Sequence, residues 1–407
     1  MARVKPAYLV TDAERLAGFA AADDVQAIQR QTFLDIASCG NEGPGEWSGD
    51  ADDTAVLLFT SGTTGIPKAA VLRQKHLVSY ILSSVEFMGA DEEDAALVCV
   101  PPYHVAGIAA VLSSVYAGRR VVQLAQFSAE AWLDLARKER ITNAFVVPTM
   151  LARIIDALAG KSSADLPHLR AVSYGGGKMP LSIIKRAMEL FPSTDFTNAY
   201  GLTETSSTVA VLGPDDHRAA AAGTDELTQR RLVSVGRALP GVEIEVRGED
   251  GSVLGPGERG EIYVRGEQVS GEYEGRGSVV DNDGWFPTRD AGSMDEGGYL
   301  YLEGRADDVI VRGGENMSPG EIEDVLLEHA AIADAAVVGV PDEQWGEGVA
   351  AVVVLRGGHS PTVAELQGWV RDHLRSSRVP QRMEFWPELP YNETGKLLRR
   401  VVKERLS

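Results

Sequence analysis

The chain is poor in cysteine: among 407 residues there are two, Cys39 and Cys99. Two thiols cannot build a disulfide framework or a thiolate metal cluster, and they fit a reducing compartment. Positive charge is also scarce, since 39 Lys and Arg against 59 Asp and Glu leave a formal net charge of −20. A basic stripe for nucleic acid and docking on anionic lipid are therefore disfavoured, and an anionic ligand has to be met by local donors. No apolar run reaches the length of a membrane span. The opening "MARVKPAYLVTDAERL" lacks the apolar core of a signal peptide. A cytoplasmic protein is the expectation. Hydrophobic content of 44% and charged content of 24% are ordinary for a globular chain, and this length predicts two or more domains.

Between about Ala90 and Phe191 strands and helices alternate. "ALVCVPPY" is a short apolar run ended by prolines. "SAEAWLDLARKER" opens with Ser and an early Glu and ends in basic residues, so it reads as a capped helix. "ITNAFVVP" reads as a strand, "MLARIIDALAG" as a helix closed by Gly160, "LRAVSYGGG" as a strand, and "PLSIIKRAMELF" as a helix entered at proline. This order predicts a parallel sheet with crossover helices. From Ser234 to Arg265 short alternating strands and an Asp250-Gly251 turn predict an antiparallel section. From Gly304 onward, "SPGEIEDVLLEH", "AAVVGV", "GVAAVVVL" and "TVAELQGWVRDHLR" predict a small α+β domain. The expected fold is α/β: a large N-terminal domain over residues 1–303, with its β section at about 231–303, then a small mobile α+β domain over 304–407. "RAAAAG", Arg218 to Gly223, reads as a weakly constrained loop.

The stretch "LLFTSGTTGIPKAAVL" carries an apolar strand into a cluster of hydroxyls and glycines. Gly62 and Gly65 let the main chain approach a ligand closely. Backbone amides with the hydroxyls of Thr60, Ser61, Thr63 and Thr64 would form an anion cradle, and Lys68 adds a cation. The spacing does not fit the Walker pattern. A plain hydrophilic loop is the alternative for this stretch taken alone. Further on, "NAYGLTET" brings Tyr200, suited to stack on a planar base, and Glu204, suited to a divalent cation. "GWFPTRD" supplies Asp290, whose carboxylate can accept from two ribose hydroxyls, and "NETGKLLRR" places Lys396 on a turn. Singly, each also reads as an ordinary surface acid, turn residue or tail lysine.

Together, "TSGTTGIPK", "YGLTET", "GWFPTRD", "GRADDVIVRGGENMSPGEIE" and "ETGKLLRR" stand in the order of the signatures of the adenylate-forming superfamily. That superfamily comprises acyl-CoA synthetases, adenylation domains and luciferases, and the chain resembles it from about Asp52 to the C-terminus. The resemblance implies an ATP-dependent carboxylic acid–CoA ligase that passes through an acyl-adenylate with release of pyrophosphate, then forms the thioester with release of AMP. ATP, Mg2+ and CoA are the implied cofactors. Transfer to a carrier protein or an amine, and a partial homologue that does not adenylate, are the alternatives.

The resemblance also implies roles for particular residues. The 60–68 loop would take the β- and γ-phosphates. Tyr200 would lie against adenine, beside Asn198, Ala199 and Gly201, with Gly175, Gly176 and Gly177 lining the nucleotide and acyl pocket. Thr203 would contact the α-phosphate, Glu204 would help bind Mg2+, and Asp290 would hold the ribose with help from Arg305. Asp307 corresponds to the hinge and Lys396 to the adenylation lysine, while Gly313 and Gly314 suit a surface passed by the pantetheine arm or serve as a plain turn. His104 and Val147 would line the substrate pocket, His104 having a packed core position as its alternative. Lys178 is expected to face solvent, with pairing to a polar or acidic substrate as the alternative. Met150, Met179 and Met188 are expected in the core and Trp285 in structural packing. Only about sixty residues precede the phosphate loop, fewer than in typical members, and "KPAYLVTDAERLAGF" already resembles the strand and helix just before it. A partner subunit or self-association covering that side is one expectation.

Overall fold

The computed structural model describes residues 8–17, 26–39, 49–60, 68–305, 308–313, 315–392 and 397–406. The chain divides into two units, Met1–Asp53 and Thr54–Ser407. In the first, strand Tyr8–Thr11 pairs in parallel with Gln26–Gln29, and helices Ala13–Ala17 and Arg30–Cys39 follow one strand each. The strand and helix expected in "KPAYLVTDAERLAGF" are present, but they are not the ones just before the phosphate loop. A second strand and helix stand between them and Thr54.

The second unit is built around a seven-stranded sheet. Its parallel part runs in the order Asp195–Leu202, Ala171–Gly175, Asn143–Val146, Ala95–Val98 and Arg120–Gln123. Ser207–Leu212 and Arg237–Ala238 extend one edge in antiparallel fashion. Ala95–Val98 is buried at every position, as a parallel strand covered on both faces must be. The crossover helix Ala129–Lys138 shows the capping expected of it: Ser128 Oγ accepts from Ala131 N at 3.1 Å, Glu130 lies in the first turn, and Arg137 and Lys138 lie in the last. Its Trp132, Leu133 and Ala136 share one face and enter the main core with Ile154, Leu158 and Ile184.

Strands Val242–Arg247, Gly260–Gly266, Phe286–Met294 and Leu300–Arg305 form the expected antiparallel section. A further small sheet joins Thr54–Thr60, Lys68–Arg73, Glu272–Tyr273 and Gly277–Ser278. In the C-terminal region, Ile332–Asp342 and Gly346–Leu355 are the long central strands of a five-stranded sheet. Successive strand side chains point to opposite faces. Thus Val337, Val349, Ala351 and Val353 pack with helices Pro319–Glu328 and Val363–His373, while Val338, Ala350 and Val352 pack with Arg399–Leu406.

Arg218–Gly223 differs from expectation. It lies in and just beyond a helix, Pro214–Ala222, rather than in a loop. Proline opens that helix, Asp215 and Asp216 favour its first turn, alanines continue it, and His217 and Ala220 anchor one face in the interior. Among the described residues, no helix is long and apolar enough to cross a membrane.

Candidate nucleotide-binding site

Three neighbouring parallel strands end together. Val147 follows Asn143–Val146, Gly175 closes Ala171–Gly175, and Asn198–Gly201 lie near the close of Asp195–Leu202. Ligands of open α/β sheets bind at such carboxyl ends. Backbone crowding there explains two glycines. A Cβ on Gly175 would sit 2.2 Å from the Ala199 carbonyl oxygen, and one on Gly201 would sit 1.7 Å from that of Ser207. Gly176 and Gly177 continue from the same strand end, Gly176 with φ of +80°. Asn198 is turned to structural use, its Nδ2 donating to Ser234 O at 3.0 Å.

At this crevice one carboxylate links the parallel sheet to the antiparallel section. Tyr200 Oη donates to Asp290 Oδ2 at 2.7 Å, and Arg305 Nη1 donates to Asp290 Oδ1 at 2.9 Å and to Thr288 O at 3.0 Å. Asp290 and Arg305 face each other in register across paired strands. Burial, followed by the charge of Asp290, pushes the Tyr200 phenol well above its ordinary range, so it stays protonated as a donor. Each oxygen of Asp290 thus has one protein donor and one further lone pair, which fits a ribose diol.

A second carboxylate lies in the turn after that strand. Thr203–Thr205 form a short 3₁₀ turn, and the buried Glu204 accepts from Tyr273 Oη through Oε1 at 2.7 Å. Lys68 Nζ sits 5.4 Å from the Tyr273 ring centroid. Backbone strain flanks both carboxylates: Ser206 has φ of +55° and Arg289 has φ of +61°, conformations that non-glycine residues hold at a cost of about 1–3 kcal/mol. Tyr273 carries no mark in the sequence, where "GEYEG" has neither periodicity nor a motif neighbour; its contacts follow from a strand pairing distant in the chain. Among the described residues, no group of three His, Cys, Asp or Glu could hold a metal ion. Glu204 alone therefore suits Mg2+ that brings phosphate and water oxygens with it, the mode this ion adopts on nucleotides.

The remaining expected residues are scattered in outcome. Thr60 and Lys68 stand opposite each other on two antiparallel strands, so the intervening segment joins strand to strand. Ser61, Gly62, Thr63, Thr64 and Gly65 themselves lie outside the described residues, as do Asp307, Gly314 and Lys396. The flanks of Lys396 are closed by an antiparallel bridge from Tyr391 to Leu397 and by Leu398 N donating to Pro390 O at 2.8 Å. Gly313 is required by packing: with φ of +58°, a Cβ there would meet the Trp345 ring at 2.8 Å.

His104 is half-buried and caps the Val105–Tyr116 helix, its Nδ1 accepting from Ala106 N at 3.2 Å. One expectation is corrected. Lys178 does not simply face solvent. Its ammonium binds Asp324 Oδ2 at 2.5 Å and Gly320 O at 3.3 Å, both on the C-terminal helix Pro319–Glu328. Met150 and Met179 are in the core, Met188 packs at its margin, and Trp285 is buried under the guanidinium groups of Arg247 and Arg265.

Residues 4–274 match the family described as AMP-binding enzyme, and residues 321–396 match the AMP-binding enzyme C-terminal domain. The chain belongs to the AMP-binding enzyme family. This AMP-binding enzyme is 36% identical over 352 residues to 2-succinylbenzoate–CoA ligase of Bacillus licheniformis, covering 86% of this chain and 69% of that one. It is 35% identical over 362 residues to fatty acid–[acyl-carrier-protein] ligase ScoC of Streptomyces coeruleorubidus, covering 87% and 68% of the two chains. In structure it resembles o-succinylbenzoate CoA synthetase (MenE) from Bacillus subtilis in complex with the acyl-adenylate intermediate OSB-AMP. That match has a TM-score of 0.81 and 30% identity, covering 98% of this chain and 78% of that one. The same synthetase has also been solved with ATP and a magnesium ion, and that complex matches with a TM-score of 0.79 and 30% identity, covering 97% and 78%.

Proposed function

We propose that this AMP-binding enzyme is an ATP-dependent carboxylic acid–CoA ligase of the AMP-forming class. A carboxylate oxygen of the acid attacks the α-phosphorus of ATP and pyrophosphate leaves, giving the acyl-adenylate. The thiol sulfur of CoA then attacks the acyl carbon, its proton is released, and AMP departs. The observation that carries this reading is the Tyr200–Asp290–Arg305 arrangement at the strand ends, close in sequence to Glu204. Asp290 receives the ribose hydroxyls, and Tyr200 is held by its hydroxyl so that its ring is fixed beside them. Glu204 would hold Mg2+, which would supply neutralisation of phosphate charge. Lys68 adds a cation at the exit of the phosphate loop, and Lys396 approaches the α-phosphate during adenylation; cations aimed at developing charge stabilise it.

Acid-dependent exchange of labelled pyrophosphate into ATP tests the first step, and added CoA tests the second. Lys396→Ala is expected to lower exchange a hundredfold or more while sparing thioester formation from supplied acyl-adenylate. Equal loss of both steps would contradict the role given to Lys396. The likeness to an acyl-carrier-protein ligase supports a second acceptor. Supplying holo carrier protein in place of CoA separates the two, since only the true acceptor drives AMP release. Exposed apolar side chains on and beside helices Gln74–Ser84 and Val105–Tyr116, namely Val78, Leu82, Phe87, Met88 and Val115, support a further chain or a second copy on that face. A monomeric mass by light scattering, in the presence and absence of substrates, would remove the second copy.

A further inference from the structure

Tyr273 sits where three parts of the site meet. Its hydroxyl donates to Glu204 Oε1 at 2.7 Å, and its ring lies 5.4 Å from the Lys68 ammonium. Its backbone stands opposite Ala70, two residues after Lys68, and Glu274 N donates to Ala69 O at 2.9 Å. Next to it, Glu272 takes the full fork of Arg73, with Nε and Nη2 at 2.8 and 2.7 Å. The same segment grips the main chain of Glu204: Ser270 N and Gly271 N both donate to the Glu204 carbonyl, at 2.9 and 3.1 Å. Segment 270–274 therefore clamps the carbonyl and carboxylate of Glu204 and is itself stitched to the strand that begins at Lys68.

We propose that Tyr273 is a positioning residue for the metal–nucleotide complex: it immobilises Glu204 through one carboxylate oxygen, leaves the other for the cation, and keeps Lys68 beside the phosphates. The inference rests on the function proposed above. A phenol is the suitable donor because it remains neutral. An ammonium or guanidinium in its place would compete with the divalent cation for the carboxylate charge. The ring adds a face to which an ammonium is attracted without being neutralised.

The test is Tyr273→Phe, which keeps the ring and removes the hydroxyl. Mn2+ in place of Mg2+, titrated by electron paramagnetic resonance in the presence of α,β-methylene-ATP, reads metal affinity without turnover. Roughly tenfold weaker Mn2+ binding is expected, as for loss of a hydrogen bond to a charged group. The KM for ATP in pyrophosphate exchange is expected to rise in parallel, with thioester formation from supplied acyl-adenylate unchanged. Tyr273→His, an aromatic donor, is expected to recover part of the affinity, and it carries the test should the Phe variant not fold. Unchanged Mn2+ affinity in a folded variant, or equal loss of both half-reactions, would overturn the positioning role. Absence of nucleotide-dependent Mn2+ binding in the unaltered protein would instead overturn the proposed function, and this inference with it.

Discussion

Glu323 in the C-terminal region and Asp290 in the crevice are both carboxylates shielded from water, yet their surroundings differ. Glu323 accepts from Val337 N at 2.7 Å and from Arg399 Nη1 at 2.5 Å on one oxygen, and from Arg399 Nη2 at 2.7 Å on the other. Arg399 also donates to Val337 O at 2.8 Å, so the helix Pro319–Glu328, the long central strand and the last helix are joined at one point. Among the described residues, Asp290 has two side-chain donors and Glu204 has one. A carboxylate has about four acceptor positions. Where the protein fills most of them, the group holds the scaffold together. Where it fills one or two on a buried or half-buried group, the carboxylate keeps positions that a ligand could occupy.

That contrast can be broken by substitution. Glu323→Ala removes the closest counter-charge of Arg399, leaving it Asp308 at 3.6 Å, and is expected to cost up to about 3–5 kcal/mol, read as a lowered thermal midpoint with early hydrogen exchange in the C-terminal region. Asp290→Asn is expected to leave that midpoint nearly in place and to raise the KM for ATP about ten- to a hundredfold in pyrophosphate exchange. If Asp290→Asn unfolded the protein as readily as Glu323→Ala while leaving ATP affinity intact, the distinction between holding and waiting carboxylates would fail. Lys178→Met sharpens the contrast from the exposed side. Its pair with Asp324 has side chains 39% and 47% exposed, so less than about 1 kcal/mol of stability is expected, shrinking further in salt. The smallest effect belongs to Cys99, whose thiol burial pushes up to about 12. Because a raised thiol pKa means less thiolate, Cys99 in a Cys39→Ser background is expected to resist maleimide at pH 8 until the protein is unfolded.

Much of this was legible beforehand, and the reasons differ by element. The helix Ala129–Lys138 carries its cap, its charges and its apolar face within a dozen residues, so local sequence suffices. The strands at Ala171–Gly175 and Asp195–Leu202 end in glycine- and aromatic-rich stretches whose crowding leaves a mark in residue type. His104 and Lys178 show what residue type leaves open. A histidine capping a helix looks like a histidine lining a channel, and a lysine gives no hint that Asp324 awaits it more than a hundred residues later. The alanines of Pro214–Ala222 look featureless until His217 is seen with Tyr174 Oη at 2.8 Å and the Gly213 carbonyl at 2.9 Å.

The order of elements, the alternation that demands a parallel sheet, and the residue types that can meet phosphate, ribose or metal are present in the sequence alone. They depend on interactions within a few residues or on chemistry intrinsic to a side chain. Which carboxylate faces which hydroxyl was decided only by the tertiary structure. Tyr200 finds Asp290 ninety residues away and Tyr273 finds Glu204 across sixty-nine, and such pairings exist only once sheets that are remote in the chain have packed against one another.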